Sequence, residues 1–202
     1  MDRVVQKFMG KNKKIALVFG CRGQDGSYMC DLLVEKGYAV HGIIRPNRTK
    51  KAPTSNPKIL KLHQIDVLKK DELHKVIKYV HPDEIYNFIT TNILTDQCID
   101  YVFNIEGRLP QHILECILDI DKSIKFFQSS SCLIYGRNKG IQNELTPTNP
   151  LYVYGNSKLY AQNMVNEFRN THGLFTCSGI FFNHESERRP QNFISKKIVE
   201  AA

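Results

Sequence analysis

Lys14-Ile-Ala-Leu-Val-Phe-Gly-Cys-Arg-Gly-Gln-Asp-Gly26 decides how the chain is read. Ile15–Phe19 is a continuous apolar run closed by Gly20, as expected of a central parallel strand buried on both faces. From Asp25 to Lys36, Met29, Leu32 and Leu33 share one helical face, and Gly37 supplies a natural C-cap. A strand entering a helix through Gly20-Cys21-Arg22-Gly23-Gln24-Asp25-Gly26 is the context in which a GxxGxxG spacing has meaning. Gly20 permits the tight turn, Gly23 lets backbone approach a pyrophosphate, and Gly26 lets the helix pack on the sheet. The helix start adds free N–H groups and a positive dipole end.

Working outward, the same alternation continues. Tyr38–Ile44 and Ile59–Ile65 read as the second and third strands, Lys69–Val80 as a helix ended by His81-Pro82, and Glu84–Ile89 as the fourth strand. Residues 96–119 read as helix that Pro110 should kink or split. Ile124–Gln128 and Leu174–Phe182 complete six strands, with a long helix Tyr154–His172 closed by Gly173. Short apolar strands alternating with helices predict an α/β fold, a doubly wound parallel sheet of Rossmann-like type. The expected organisation is a basic tail over 1–13, an NAD(P)-binding domain over 14–182, and the start of a substrate-binding segment over 183–202.

The composition agrees. The 202 residues carry a formal charge of +8 with 42% hydrophobic residues, ordinary for a globular domain. Residues 1–14 net +4 and residues 45–61 net +6, leaving the remainder slightly acidic. Such localised charge, with no aromatic between the basic residues of 45–61, argues against a nucleic-acid coat. The apolar runs are too short to span a bilayer. No secretory leader is visible, and the six cysteines form no CxxC. Together these point to a cytoplasmic protein with reduced thiols and no metal site.

The end of the second strand sorts the nicotinamide cofactors: an acid there bonds the ribose hydroxyl of NAD, whereas Arg receives the 2′-phosphate of NADP. Arg45 and Arg48 follow the second strand and no acid appears before Asp66, so NADP is expected. Asp66 and Val67 fall where the adenine edge would lie. At the other end of the cofactor, Tyr154 and Lys158 stand four apart at a helix start. A nearby ammonium favours phenolate, fitting Tyr154 to exchange a proton with a substrate hydroxyl. Ser131, at the end of the fifth strand, is the expected third hydroxyl.

These residues resemble the extended short-chain dehydrogenase/reductases and, among them, the GDP-mannose 4,6-dehydratase family. The resemblance runs from about Lys14 to Val199. Its most specific pieces are Gly23–Tyr28, Glu84–Asn87, Tyr154–Tyr160, and Phe182-Asn183-His184-Glu185-Ser186 continuing through Arg188-Arg189 to Asn192-Phe193. It implies a GDP-mannose-class nucleotide sugar as substrate. Tyr154 would take the 4-hydroxyl proton while C4 gives hydride to NADP⁺; a carboxylate would then remove the C5 hydrogen, water would leave from C6, and hydride would return there. It also implies cofactor contacts at Tyr101, His184 and Arg189 and a substrate contact at Asn183.

This chain departs from the family pattern in several places. Ser131-Cys132-Leu133 stands where the family has Thr-Ser-Glu, so Leu133 replaces the proton carrier of the elimination. Ile89-Thr90-Thr91-Asn92 stands where the family has Gly-Ala-Gln-Ser, and Leu109-Pro110 replaces a helical Gly-Thr. Most of the family's C-terminal substrate domain has no counterpart here. Two further readings therefore stay open: a catalytically impaired NADP-binding relative or fragment, and a nucleotide-sugar epimerase or keto-reductase, to which Ser129–Gly136 is similar. A homo-oligomer also stays open, because family members associate through surfaces that include the basic loop.

Overall fold

A computed structural model describes residues 13–46, 59–91, 98–191 and 193–201. The strands are β1 (Ile15–Phe19), β2 (Ala39–Ile44), β3 (Lys61–Gln64), β4 (Glu84–Asn87), β5 (Lys125–Ser131) and β6 (Thr176–Phe181). The helices are α1 (Gln24–Glu35), α2 (Lys70–Val80), α3 (Ile99–Phe103), α4 (Leu109–Ile120), α5 (Val153–His172) and α6 (Ile194–Ala201). One six-stranded sheet has the order β3-β2-β1-β4-β5-β6, and every pairing is parallel. This is the doubly wound sheet expected from the sequence. The chain reverses its winding between β1 and β4, so the crevice beyond their C-terminal ends is the place for a ligand.

Both faces are filled. Leu17, Phe19, Ile43, Ile85 and Phe126 meet Leu73, Ile77, Ile113, Ile117 and Val165 on one side. Ala16, Val18 and Val40 meet Cys30 and Leu33 of α1 on the other. Burying each large side chain contributes about 1.5–3 kcal/mol, and this anchors the strand ends that carry the site.

Three places bear on the sequence reading. β5 runs on to Ser131, because β6 pairs with it as far as Ser131↔Phe181; the serines look loop-like but are held by their neighbour. α2 ends as expected, where His81 turns left-handed (φ 45°) just before Pro82. Pro110 lies in the first turn of α4, and the α-helical stretch is split just before it, as expected. A π turn over Asn104–Arg108 joins α3 to α4, with Leu109 N–H bonded to Asn104 O. Pro110 has no N–H to offer the carbonyl four residues back, and a widened turn is one way for a helix to continue past such a gap.

Candidate active site

The turn after β1 is a bare-backbone cradle. Gly20 has φ 75°, and a Cβ there would lie 2.8 Å from the carbonyl carbon of Phe88 at the end of β4. Gly23 N–H bonds Gly20 O at 2.8 Å. A Cβ on Gly26 would overlap Gly20 O, so only glycine lets α1 start this close to the turn. No side chain caps the α1 N-terminus, which leaves first-turn N–H groups and the positive dipole end for an anion. Asp25 is half-buried beside them. Gln24 is buried with Oε1 lacking a hydrogen-bond partner, an acceptor available to a ligand hydroxyl. Arg22 is half-buried in the turn. Cys21 packs inward, its thiol 3.6 Å from Ile43 O, and burial pushes it up to about 11. The cradle fits a dinucleotide pyrophosphate.

Arg45 follows β2 with its guanidinium 6.0 Å from the Tyr101 ring, bringing two of the expected cofactor contacts together. Arg48 and Asn192 lie outside the described residues, as does the N-terminal tail up to residue 12. Asp66 instead braces its own turn: its carboxylate accepts from Leu68 N, and its N–H bonds Glu72 Oε2 at 2.9 Å. Val67 is buried in the core.

Tyr154 and Lys158 project from the first turns of α5 into an open cleft of about 230 Å³, which Asp25, Thr90, Ser131 and Leu133 also line. The Lys158 side chain is 2% exposed. It lies 5.7 Å from the Tyr154 ring and donates to Ser129 O at 2.9 Å. Its counter-charge is Glu106 of the π turn, fully buried, with Oε2 at 2.9 Å. Burial alone would lower the Lys158 pKa, but the Glu106 charge and hydrogen bond and the Tyr154 oxygen outweigh it and hold it above its ordinary value. The other Glu106 oxygen accepts from Thr91 N, from Thr91 Oγ1 at 2.8 Å and from Thr90 Oγ1 at 3.0 Å. Thr90 Oγ1 in turn stands 3.2 Å from Tyr154 Oη. Ser131 lines the cleft, but its hydroxyl accepts from Leu133 N at 3.2 Å and caps the turn after β5.

Sequence reasoning missed Glu106 altogether and met Thr90 only as a departure from the family pattern. The signal for Glu106 was Pro110 four residues later, which marks a helix that cannot be regular there.

The segment after β6 closes over the cradle. His184 presents Nδ1 to Phe182 O and Nε2 to Asp25 Oδ1, both at 2.7 Å, an arrangement that only the doubly protonated ring satisfies. The Phe182 carbonyl and the Asp25 carboxylate accordingly raise its pKa. Arg188 pairs with Asp31 at 2.5 Å and lies over Tyr28, while Arg189 pairs with Glu185 and stacks on Phe193. Asn183 and Arg189 line the cleft. A raised folded-state value means that the His184 contribution is complete below its ordinary value of 6.5 and is lost as pH climbs through the folded value. Amide exchange over residues 183–189, corrected for intrinsic rates, is expected to quicken up to about fivefold from pH 6 to pH 8.5, a partly exposed pair's worth. His184→Gln should abolish the difference; an unchanged pH dependence in that variant would discard the role of the pair.

Comparison with known proteins gives the family and the fold. Residues 17–202 match the family model described as GDP-mannose 4,6 dehydratase. The GDP-mannose 4,6 dehydratase of Cricetulus griseus is 38% identical over 204 residues, which cover 94% of this chain and 55% of that protein. That of Vibrio cholerae serotype O1 is 36% identical, with 93% and 54% covered. The chain thus spans about half the length of these relatives. Among solved structures, UDP-glucose 4-epimerase of Thermus thermophilus in complex with NAD superposes with a TM-score of 0.80 at 17% identity, covering 92% of this chain and 60% of that one. dTDP-glucose 4,6-dehydratase of Bacillus anthracis in complex with NAD gives 0.78 at 19%, covering 93% and 60%. At such identities the likeness is one of fold. Among the described residues no helix is long and apolar enough to cross a membrane.

Proposed function

From the premise that the chain belongs to the GDP-mannose 4,6 dehydratase family, we propose that it acts on a GDP-mannose-class nucleotide sugar, with NADP as hydride carrier, and forms the 4-keto-6-deoxy sugar. The observation that carries this reading is the placement of Tyr154 and Lys158 in one cleft with the α1 N-terminus, at the C-terminal ends of the strands. When bound, the nicotinamide takes up hydride and gives it back. The chain's own residues do the rest. The turn Gly20–Gly26 holds the pyrophosphate, Lys158 fixes the electrostatics around the phenol, and Tyr154 Oη exchanges a proton with the sugar 4-hydroxyl. Asn183 and Arg189 face the nucleotide sugar and the cofactor. Arg45, beside Tyr101, supports NADP over NAD as the 2′-phosphate partner. The NAD carried by the two solved relatives of like fold supports the dinucleotide class only.

One observation favours a second reading. Leu133 lines the cleft where the family resemblance places a carboxylate, so proton and hydride exchange at C4 has its residues here while the elimination lacks one. The chain would then act as a C4 epimerase or keto-reductase.

The test is a binding titration with NADPH and NADH, followed by mass analysis of GDP-mannose incubated with the protein and NADP⁺. Tighter binding of NADPH and a product lighter by one water are expected. Unaltered GDP-mannose together with NADPH oxidation by a 4-keto sugar would favour the second reading. NADPH bound with neither reaction would overturn both.

A further inference from the structure

We propose that Glu106 is a positioning residue for the reacting pair: clamped on one side by Thr90 and Thr91, it holds the Lys158 ammonium against the end of β5. The inference rests on the function proposed above for the role of Lys158 beside Tyr154, and adds how this chain keeps that lysine in place.

The two oxygens of the Glu106 carboxylate are used differently. Oε1 accepts from Thr91 N, from Thr91 Oγ1 at 2.8 Å and from Thr90 Oγ1 at 3.0 Å. Oε2 accepts none of these and is left to the Lys158 ammonium, 2.9 Å away. Donors converging on one oxygen fix a carboxylate in place and in rotation, so Oε2 stays on the lysine. From the other side the ammonium donates to Ser129 O at 2.9 Å. That carbonyl also accepts from Gln128 Nε2 at 2.8 Å, and Gln128 Oε1 accepts from Asn87 Nδ2 at 2.8 Å. Asn87, Glu106, Gln128 and Lys158 are all buried, where each such bond is stronger than in water. A lysine carries its charge on a flexible four-carbon stem. Two fixed acceptors on opposite sides give that stem one placement, with the ammonium 5.7 Å from the Tyr154 ring.

Two departures from the family pattern meet in this device. Pro110 lacks the N–H that the Glu106 carbonyl would take in a regular helix, and Glu106 lies in the π turn Asn104–Arg108 just before it. Thr90 and Thr91 belong to the other departure, Ile89–Asn92, and supply the hydroxyls that receive the Glu106 side chain. The family resemblance places alanine and glutamine at these two positions, so the two-hydroxyl clamp belongs to this chain. Thr91 acts through Glu106, and Glu106 through Lys158; neither has to touch the sugar.

Thr91 is the place to test this, because the Thr90 hydroxyl also stands 3.2 Å from Tyr154 Oη. Thr91→Val keeps the shape and the N–H and removes the hydroxyl, while Thr91→Ser keeps the hydroxyl. Lys158 is followed in each intact chain by the nitrogen-resolved proton signal of its ammonium, the one that Lys158→Arg abolishes. In Thr91→Val those protons are expected to exchange with water about tenfold faster, the worth of one hydrogen bond to a charged group. Hydride transfer from C4, read as NADPH absorbance in a single turnover, should slow by a similar factor, with half-saturation by the nucleotide sugar unchanged. Thr91→Ser should recover most of both effects. Glu106→Asp, which draws the carboxylate back by one methylene, should exchange faster than the wild type as well. The inference falls if either readout is unmoved in Thr91→Val while the wild type turns over, if Val and Ser change alike, or if the wild type shows no slowly exchanging ammonium. Faster exchange in Thr91→Val with no hydride transfer in any of the proteins, the wild type included, would leave the clamp standing and sink the proposed function instead.

Discussion

Glu106→Gln is expected to lower the unfolding free energy by about 3–5 kcal/mol, the usual cost of stranding one member of a buried ion pair. Gln keeps a carbonyl oxygen for Thr90 and Thr91, so those donors stay satisfied. What it removes is the anion facing Lys158, whose side chain is 2% exposed. The new amide would meet that ammonium donor to donor. The double variant Glu106→Gln with Lys158→Met should recover most of the loss, because the buried charge is gone and the Gln amide can turn to Ser129 O, which Lys158 otherwise occupies at 2.9 Å. Replacing both members of such a pair is often close to neutral. The pH dependence has a definite sign. Lys158 is held above its ordinary 10.5 in the folded chain, so the stability due to the pair is complete below that value and is lost as pH rises through the folded one. The gap between wild type and Glu106→Gln should therefore be flat through neutrality and close only in strong alkali. Urea unfolding of the three proteins measures this. A loss below about 1 kcal/mol in the single variant would mean that the pair behaves as a solvated surface contact.

That pair also marks where the sequence stops being legible. The β1 run, the glycine turn and the four-residue spacing of Tyr154 and Lys158 are local patterns, and local periodicity and turn chemistry fix them. The sheet order follows, since parallel strands joined through helices have few ways to wind. Glu106 is different. It sits in a stretch, Asn104-Ile-Glu-Gly-Arg108, that reads only as helix, and nothing local says that its carboxylate is buried against a lysine from another helix. Thr90 and Ser131 show the same limit from the other side. Both are hydroxyls at strand ends. Here Thr90 Oγ1 stands 3.2 Å from Tyr154 Oη while the Ser131 hydroxyl accepts from Leu133 N, and the local sequence writes neither pairing. Of the basic residues over 45–61, Arg45 lies against Tyr101, and Arg48 falls outside the described residues.

Leu133→Glu is expected to raise the rate of water loss from the nucleotide sugar by about 10²–10⁴, the range that a positioned general acid or base supplies. Leu133 follows Cys132 in the turn after β5 and lines the same cleft as Tyr154. It is 37% exposed, so a carboxylate there keeps access to water and avoids the cost of burying a charge. A proton can be drawn from C5 only after C4 has become a carbonyl, because only the carbonyl makes that hydrogen acidic. Tyr154 therefore acts before residue 133, and the two changes must combine in order. Leu133→Glu with Tyr154→Phe should form no dehydrated product, however well the new carboxylate is placed. Leu133→Glu alone should leave the C4 exchange rate unchanged and raise only the yield of the product lighter by one water. If water loss is as fast in the wild type as in Leu133→Glu, another group in the cleft already carries the C5 proton. If Leu133→Glu loses no water although C4 exchange proceeds, the carboxylate at residue 133 does not reach C5.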